Sequence, residues 1–100
     1  MRETGASYTH PLLILCVLPG ALMQSRCGFV ASRRIGNAVR RNRARRRMRE
    51  VVRQYWDLVE PGWDVVWIAR PALDAARFEQ LQVACASLLS QARILRAEAS

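Results

Sequence analysis

One segment of this chain, from Arg33 to Arg53, contains ten arginines and a single acidic residue, Glu50. From Ala38 to about Trp56 it has neither proline nor glycine, and good helix formers dominate it. Because so many like charges cannot be buried together, the segment must fold with its arginines in water. Its apolar residues recur at the three- and four-residue steps of a helix: Ala44, Met48, Val51, Val52 and Tyr55. The segment therefore predicts a helix over about 38–56, with one apolar stripe facing a core and arginines on the remaining arc.

The charge of the chain is concentrated in this same segment. The whole chain carries +8, and all 16 of its basic residues are arginine. With ten arginines and one glutamate, residues 33–53 carry +9, which leaves −1 on the other 79 residues. Arginine pairs bidentately with phosphate and stacks on bases. Positive charges spaced more closely than a Debye length of about 8 Å repel one another. A surface that is only solvated would leave this repulsion uncompensated. The pattern therefore indicates a face that binds nucleic acid.

The rest of the chain predicts strands and a second helix. Apolar runs bounded by proline, glycine and polar residues predict strands over about 11–18, 26–33 and 63–69. Gly36 and Asn37 interrupt the pattern and offer an N-cap for the basic helix. Apolar residues at steps of three and four predict a C-terminal helix over about 75–94. The order of these elements predicts one α+β domain over 1–100, with helices on one face of a sheet.

The sequence gives little support to catalysis by the protein itself. Three widely spaced cysteines without a CxxC pair, and His10 as the one histidine, form neither a zinc motif nor a disulfide framework. Asp57 and Glu60 are the closest acidic pair, whereas metal-dependent hydrolysis needs several converging ligands. We therefore expect no catalytic residue and no metal site. The run PLLILCVL is interpreted as a buried strand, since it is too short for a membrane span of roughly 20 apolar residues.

Residues 26–50 form a pattern with many fixed positions. They fit the string R-x-G-F/L-x-x-S-K/R-K/R-x-G-N/K-A-V-x-R-N-R-x-K/R-R-x-x-R-E. The matching positions are Arg26, Gly28, Phe29, Ser32, Arg33, Arg34, Gly36, Asn37, Ala38, Val39, Arg41, Asn42, Arg43, Arg45, Arg46, Arg49 and Glu50. The segment thus closely resembles the signature of the bacterial ribonuclease P protein subunit. The resemblance continues in the strand WDVVWIA and in the helix from Phe78 to Ala92.

This resemblance implies a fold and a partner. The fold would be a four-stranded sheet with a left-handed βαβ crossover around the basic helix, similar to a domain of a small-subunit ribosomal protein. In that family an RNA subunit is the catalyst, and with bound Mg²⁺ ions it cleaves the 5′ leader from precursor tRNA. The resemblance therefore implies a cytoplasmic endoribonuclease subunit, a monomer in a one-to-one complex with ribonuclease P RNA. It also implies Mg²⁺ held mainly by the RNA, and neither a DNA nor a membrane partner.

The residues expected to contact RNA lie in the basic segment. Arg41, Asn42 and Arg43 match the R-N-R motif of the family, and Arg41, Arg45 and Arg49 share one helical face. The predicted RNA-binding set is Arg33, Arg34, Asn37, Arg40, Arg41, Asn42, Arg43, Arg45, Arg46 and Arg49. The resemblance also implies a cleft for the single-stranded leader between sheet and helices. Its predicted members are Cys16, Val30 and Ser32.

Two differences from the family pattern concern the leader. Family members usually begin with an additional helix that carries aromatic residues, and this chain starts at what resembles the end of that helix. We expect either an upstream start or a shortened form, with Gly5 to His10 as the linker before the first strand. Cys16 stands where many members have a tyrosine. Two other interpretations stay open: a ribosomal or ribosome-associated RNA-binding protein, and an exported cationic peptide that acts on membranes.

Overall fold

The computed structural model describes residues 5–20 and 25–95. Four strands and two helices make up most of this part of the chain. In chain order they are β1 (Ala6–Thr9), β2 (Leu13–Pro19), β3 (Arg26–Val30), α1 (Ala38–Arg53), β4 (Trp63–Ala69) and α2 (Phe78–Ala92). Short 3-10 turns occupy Arg33–Ile35, Trp56–Leu58 and Pro71–Ala75. No helix within the described ranges is long and apolar enough to cross a membrane.

The strands form one mixed sheet in the order β1-β2-β4-β3. β2 pairs antiparallel with both of its neighbours, and Leu15 lies opposite Trp67. β3 pairs in parallel with β4, with Phe29 opposite Trp67. A parallel pair needs a crossover connection, and here α1 is its main element. The four-stranded α+β architecture is confirmed, while the left-handedness of the crossover stays a prediction.

The first strand corrects the interpretation of Gly5 to His10 as a linker. Ala6–Thr9 is an edge strand, paired with the segment from Ile14 to Val17. It is short, and Tyr8 is its one partly buried residue, so it lacks the apolar alternation that identifies a strand from sequence. Backbone pairing with β2 forms this strand, and such pairing leaves little trace in the local sequence.

The remaining boundaries differ from the predicted ones by a few residues. β2 begins at Leu13 because a turn with two backbone hydrogen bonds joins His10 to Leu13. β3 ends at Val30, and Ser32 begins a 3-10 turn instead of extending the strand to 33. α1 ends at Arg53 and not at 56. α2 spans Phe78–Ala92 and not 75–94, because Pro71–Ala75 forms a separate 3-10 turn.

The core lies between one face of the sheet and the two helices. Leu15 and Trp67 of the sheet are fully buried, as are Leu81 and Leu88 of α2, and Met48 of α1 is 1% exposed. The alternating burial along β2 and β4 shows that the helices cover one face of the sheet. The opposite face is open in the described part of the chain. The fold thus attaches α1 to the core through its apolar stripe and leaves most of its remaining surface exposed.

Candidate nucleic-acid interface

The start of α1 is fixed by three residues of the segment SRRIGN. The hydroxyl of Ser32 accepts a hydrogen bond from the Arg34 backbone N–H at 3.3 Å, which starts the 3-10 turn. Gly36 then adopts a φ of 139°, a conformation that residues with a side chain rarely take. Asn37 caps the helix, because its Oδ1 accepts from the Arg40 backbone N–H at 3.0 Å. The predicted N-cap is confirmed, and it sets where the arginines of the first turns lie.

The apolar stripe of α1 determines which directions the arginines can take. Ala44, Met48, Val51 and Val52 are buried against the core. Tyr55, the fifth residue of the predicted stripe, lies beyond the helix and is partly buried. Side chains elsewhere on the helix project to either flank or to the outer surface. The arginines therefore form two flanks and an outer ridge.

One flank of α1 is held against the turn that precedes α2. Asp74 forms an ion pair with Arg43, Nη2 to Oδ1 at 3.2 Å, and a longer one with Arg40, Nε to Oδ2 at 3.8 Å. Arg47 donates to the carbonyl oxygen of Leu73 at 2.9 Å and also to that of Ala76. Arg40 and Arg43, two members of the predicted RNA-binding set, are thus partly engaged within the protein.

The R-N-R motif makes further local contacts. Arg41 is partly buried and donates to the Gly36 carbonyl oxygen at 2.9 Å, across the start of the helix. The Oδ1 of Asn42 accepts from the Arg45 guanidinium. The amide nitrogen of Asn42 stays available for another acceptor, because an amide carries two donors as well as its oxygen. Asn37 is also exposed beside the motif.

The rest of the α1 surface and the 3-10 turn before it carry arginines whose charge is not neutralised. Five members of the predicted set form neither an ion pair with a carboxylate nor a side-chain hydrogen bond to a backbone carbonyl in the described residues: Arg33, Arg34, Arg45, Arg46 and Arg49. Four of the five are exposed, and Arg45 is partly exposed. The Arg49 guanidinium lies over the ring of Phe29, 5.5 Å from its centroid, in a cation–π contact. We call these five residues the unpaired arginine group. It is the part of the surface best suited to bind phosphate.

The predicted leader residues lie on or beside the open face of the sheet. Cys16 pairs with Val66 across β2 and β4, and Val30 pairs with Ile68 across β3 and β4, which places all four on one face. Val30 is 44% exposed. Ser32 follows two residues after the end of β3, and its hydroxyl is engaged at the 3-10 turn. The structure thus places Cys16 and Val30 on one surface, with Ser32 beyond its edge.

Sequence reasoning missed the acidic partners of two arginine sites. On the open face, Arg26 forms an ion pair with Asp64 at 3.0 Å, and that guanidinium holds the pKa of the carboxyl below its usual range. The pair joins residues 38 positions apart. Asp74 and Arg43 are 31 positions apart. No local pattern links such distant residues, so neither pair gives a signal in the sequence.

No group of three or more histidine, cysteine or acidic side chains that could hold a metal ion occurs in residues 5–20 and 25–95. Asp57 and Glu60 are both exposed, near the 3-10 turn after α1. The cations of this part of the chain are concentrated on α1.

Comparison with known proteins identifies the family. The family model described as Ribonuclease P matches residues 1–93, which include the whole arginine-rich segment. The chain belongs to this family. The ribonuclease P protein component of Herpetosiphon aurantiacus is 44% identical over 94 residues, 94% of this chain and 76% of that protein. The one from Chloroflexus aurantiacus is 48% identical over 98 residues, 97% of this chain and 73% of that protein.

Solved structures of ribonuclease P proteins share the fold. The protein from Thermotoga maritima superposes with a TM-score of 0.76 at 27% identity, over 87% of this chain and 83% of that one. The protein from Staphylococcus aureus gives a TM-score of 0.80 over 92% of this chain and 84% of that one, and at 24% identity it supports the fold alone. The mixed four-stranded sheet with two helices is thus the fold of ribonuclease P proteins. A ribonuclease P protein component is part of a ribonucleoprotein, so this chain has an RNA partner.

Proposed function

We propose that this chain is the protein subunit of a ribonuclease P whose RNA subunit carries the catalysis, and that it assists removal of the 5′ leader from precursor tRNA in the cytoplasm. The observation that carries the proposal is the family match over residues 1–93, with the arginine-rich helix inside it. Mg²⁺ serves the reaction in this proposal and is held mainly by the RNA. The protein contributes binding and positioning.

The charge distribution supports RNA as the partner of α1. In our proposal the unpaired arginine group meets phosphates of ribonuclease P RNA, because guanidinium groups without a carboxylate partner lose no ion pair when they bind. Asn42 and Asn37 offer neutral groups for sugar or base edges beside those cations. Arg40, Arg41 and Arg43 complete the proposed surface. Binding by Arg40 and Arg43 competes with the carboxylate of Asp74.

We assign the leader to the open face of the sheet. Cys16 and Val30 provide small and apolar surface there, and Ser32 lies where β3 leads towards the unpaired arginines. Every base has a π-face, so an exposed apolar surface can contact unpaired bases with little dependence on sequence. Leader binding here rests on fewer charged contacts than binding of the RNA subunit.

A cleavage assay tests the proposed function. The protein is mixed with a bacterial ribonuclease P RNA and a precursor tRNA at a low Mg²⁺ concentration, at which the RNA alone cleaves slowly. We expect faster release of the 5′ leader when the protein is present, and mature 5′ ends as the product. No gain in cleavage would overturn the proposal, and co-purification with ribosomal RNA from the host would favour a ribosomal role.

Two substitutions at one ion pair should change RNA affinity in opposite directions. Arg43→Ala should weaken binding to the RNA subunit by about 1 to 3 kcal/mol, because a guanidinium is lost and the Asp74 carboxylate, left with only its longer pair to Arg40, repels phosphates. Asp74→Asn should tighten binding several-fold and steepen the slope of log K against log salt by about one, because it frees Arg40 and Arg43 for phosphates. Filter binding at several salt concentrations measures both quantities.

The same pair gives its own folding control. The Arg43–Asp74 pair is partly exposed, with 47% of the Arg43 side chain and 24% of the Asp74 side chain accessible, so either substitution should change the free energy of unfolding by only about 1 kcal/mol. An Asp74→Asn variant with the affinity and salt slope of the original protein would show that this flank of α1 does not face the RNA.

A further inference from the structure

A small cavity opens beside the unpaired arginine group, between the edge strand β3 and the end of α1. Its volume is about 190 Å³, and its lining residues are Cys27, Phe29, Arg49, Val52, Arg53 and Trp56. Pockets for drug-sized ligands measure roughly 300 to 1,000 Å³, so this cavity suits a single ring system. It lies on the helix-covered side of the sheet, since Cys27 and Phe29 pair with the inward-facing Val65 and Trp67 of β4. It is therefore separate from the open face that we assign to the leader.

The lining of the cavity combines an apolar floor with a cationic rim. Burial raises the pKa of the Cys27 thiol to about 11, even though the nearby charge of Arg49 opposes this shift. The thiol is consequently neutral near pH 7 and acts as apolar surface, together with Phe29 and Val52. Trp56 is partly buried and belongs to the short turn after α1. It gives the cavity an aromatic ring system in addition to Phe29.

The two arginines at the rim differ in their partners. Arg53 pairs with Glu50 at 3.3 Å, one helical turn away. Arg49 has no carboxylate partner in the described residues, and its guanidinium stacks over Phe29. Arg45 lies four residues before Arg49 and therefore on the same side of the helix. A ligand in the cavity would thus have flat stacking surfaces around it and unneutralised positive charge beside it.

We propose that this cavity binds one unstacked nucleobase of the RNA partner. The base stacks on the Trp56 indole, and the adjoining phosphate is neutralised along the side of α1 that carries Arg45 and Arg49. Bases in loops and bulges are commonly held in this way, between aromatic rings and guanidinium planes. The proposal rests on the proposed function, because it takes RNA as the partner of α1. The stacked base would add a contact that depends on shape, whereas the rest of the proposed interface consists mainly of contacts between arginines and phosphates.

Binding of the whole protein to a bacterial ribonuclease P RNA gives the first test. Trp56→Leu should weaken binding by about fivefold or more, because a base loses its stacking partner. The slope of log K against log salt should stay unchanged, because no phosphate contact is removed. Trp56→Phe should retain most of the affinity.

Trp63→Leu is the matched control, since Trp63 is also partly buried against the core but does not line the cavity. Equal affinities for Trp56→Leu and the unaltered protein would overturn the proposal.

A ligand titration of the unaltered protein gives a second test, which does not depend on how well the Trp56 variants fold. Adenosine 5′-monophosphate at millimolar concentration should shift the NMR signal of the Trp56 indole N–H, which the Trp56→Phe spectrum identifies by its absence. Ribose 5-phosphate, which has the phosphate but no base, should leave that signal unchanged. The same response to both compounds, or a shift caused only by an acidic aromatic peptide, would overturn the proposal.

The two experiments separate failure of this inference from failure of the proposed function. If the unaltered protein neither binds ribonuclease P RNA nor stimulates cleavage, the proposed function fails, and the titration alone then decides whether the cavity accepts a base. If the protein binds the RNA and stimulates cleavage while Trp56→Leu has no effect on affinity, only the base-binding role of the cavity is wrong.

Discussion

Raising the monovalent salt concentration from 50 to 200 mM should weaken binding of this protein to ribonuclease P RNA by roughly 130- to 500-fold. This range corresponds to a slope of log K against log salt of about −3.5 to −4.5, as expected for five phosphates neutralised by arginine. The structure supplies a matching set, the five residues of the unpaired arginine group. Binding measured at four or more salt concentrations gives the slope directly.

Single substitutions show whether the slope arises from this group. Arg46→Gln should make the slope shallower by about 0.7 to 0.9, because one fewer counterion is released from the RNA. Arg93→Gln is the control, since Arg93 is also exposed but lies at the end of α2, outside the proposed interface. Binding that hardly responds to salt would contradict an interface built on these arginines, whatever its affinity.

Met48→Ala should lower the free energy of unfolding by about 2 to 5 kcal/mol, because it removes a buried side chain and leaves a cavity. Met48 is 1% exposed and belongs to the stripe that attaches α1 to the sheet. Urea denaturation followed by circular dichroism measures the change. Arg46→Ala, on the exposed side of the same helix, should change stability by no more than about 0.5 kcal/mol.

The pair of variants also separates folding from binding. At low urea, where Met48→Ala is still folded, its affinity for the RNA should match that of the original protein, because the arginines keep their helix. Arg46→Ala should instead lose affinity at unchanged stability. A loss below about 1 kcal/mol for Met48→Ala would mean that α1 is not anchored by this stripe.

Features that depend on neighbouring residues could be predicted from the sequence. The N-cap at Asn37 and the apolar stripe of α1 follow from spacings of three and four residues, and the structure has both. The strand from Trp63 to Ala69 is equally predictable, because a run that is apolar except for Asp64, preceded by glycine and followed shortly by proline, is typical of a strand. The apolar stripe faces the core, so its position on α1 also determines in which directions the arginines of the helix project.

Features that depend on distant pairing could not be predicted in the same way. The strand from Ala6 to Thr9 is formed by hydrogen bonds to β2 and carries no apolar alternation. The pairing of Arg40 and Arg43 depends on Asp74, which the fold brings to Arg43 from 31 positions away. The local sequence does not show which of the ten arginines in the basic segment have partners within the protein. Contacts with the turn before α2 engage Arg40, Arg43 and Arg47.

The contact of Asp74 with Arg40 and Arg43 has a consequence for selectivity among anions. An isolated phosphate that reaches Arg43 exchanges one anionic partner for another, so it gains little free energy. A rigid RNA surface that contacts Arg45, Arg46 and Arg49 at the same time already has most of its binding energy before Asp74 must be displaced. In the proposed interface the carboxylate of Asp74 should therefore disfavour small or sparsely charged anions more than a large folded RNA, so that the surface selects a partner that contacts many arginines at once.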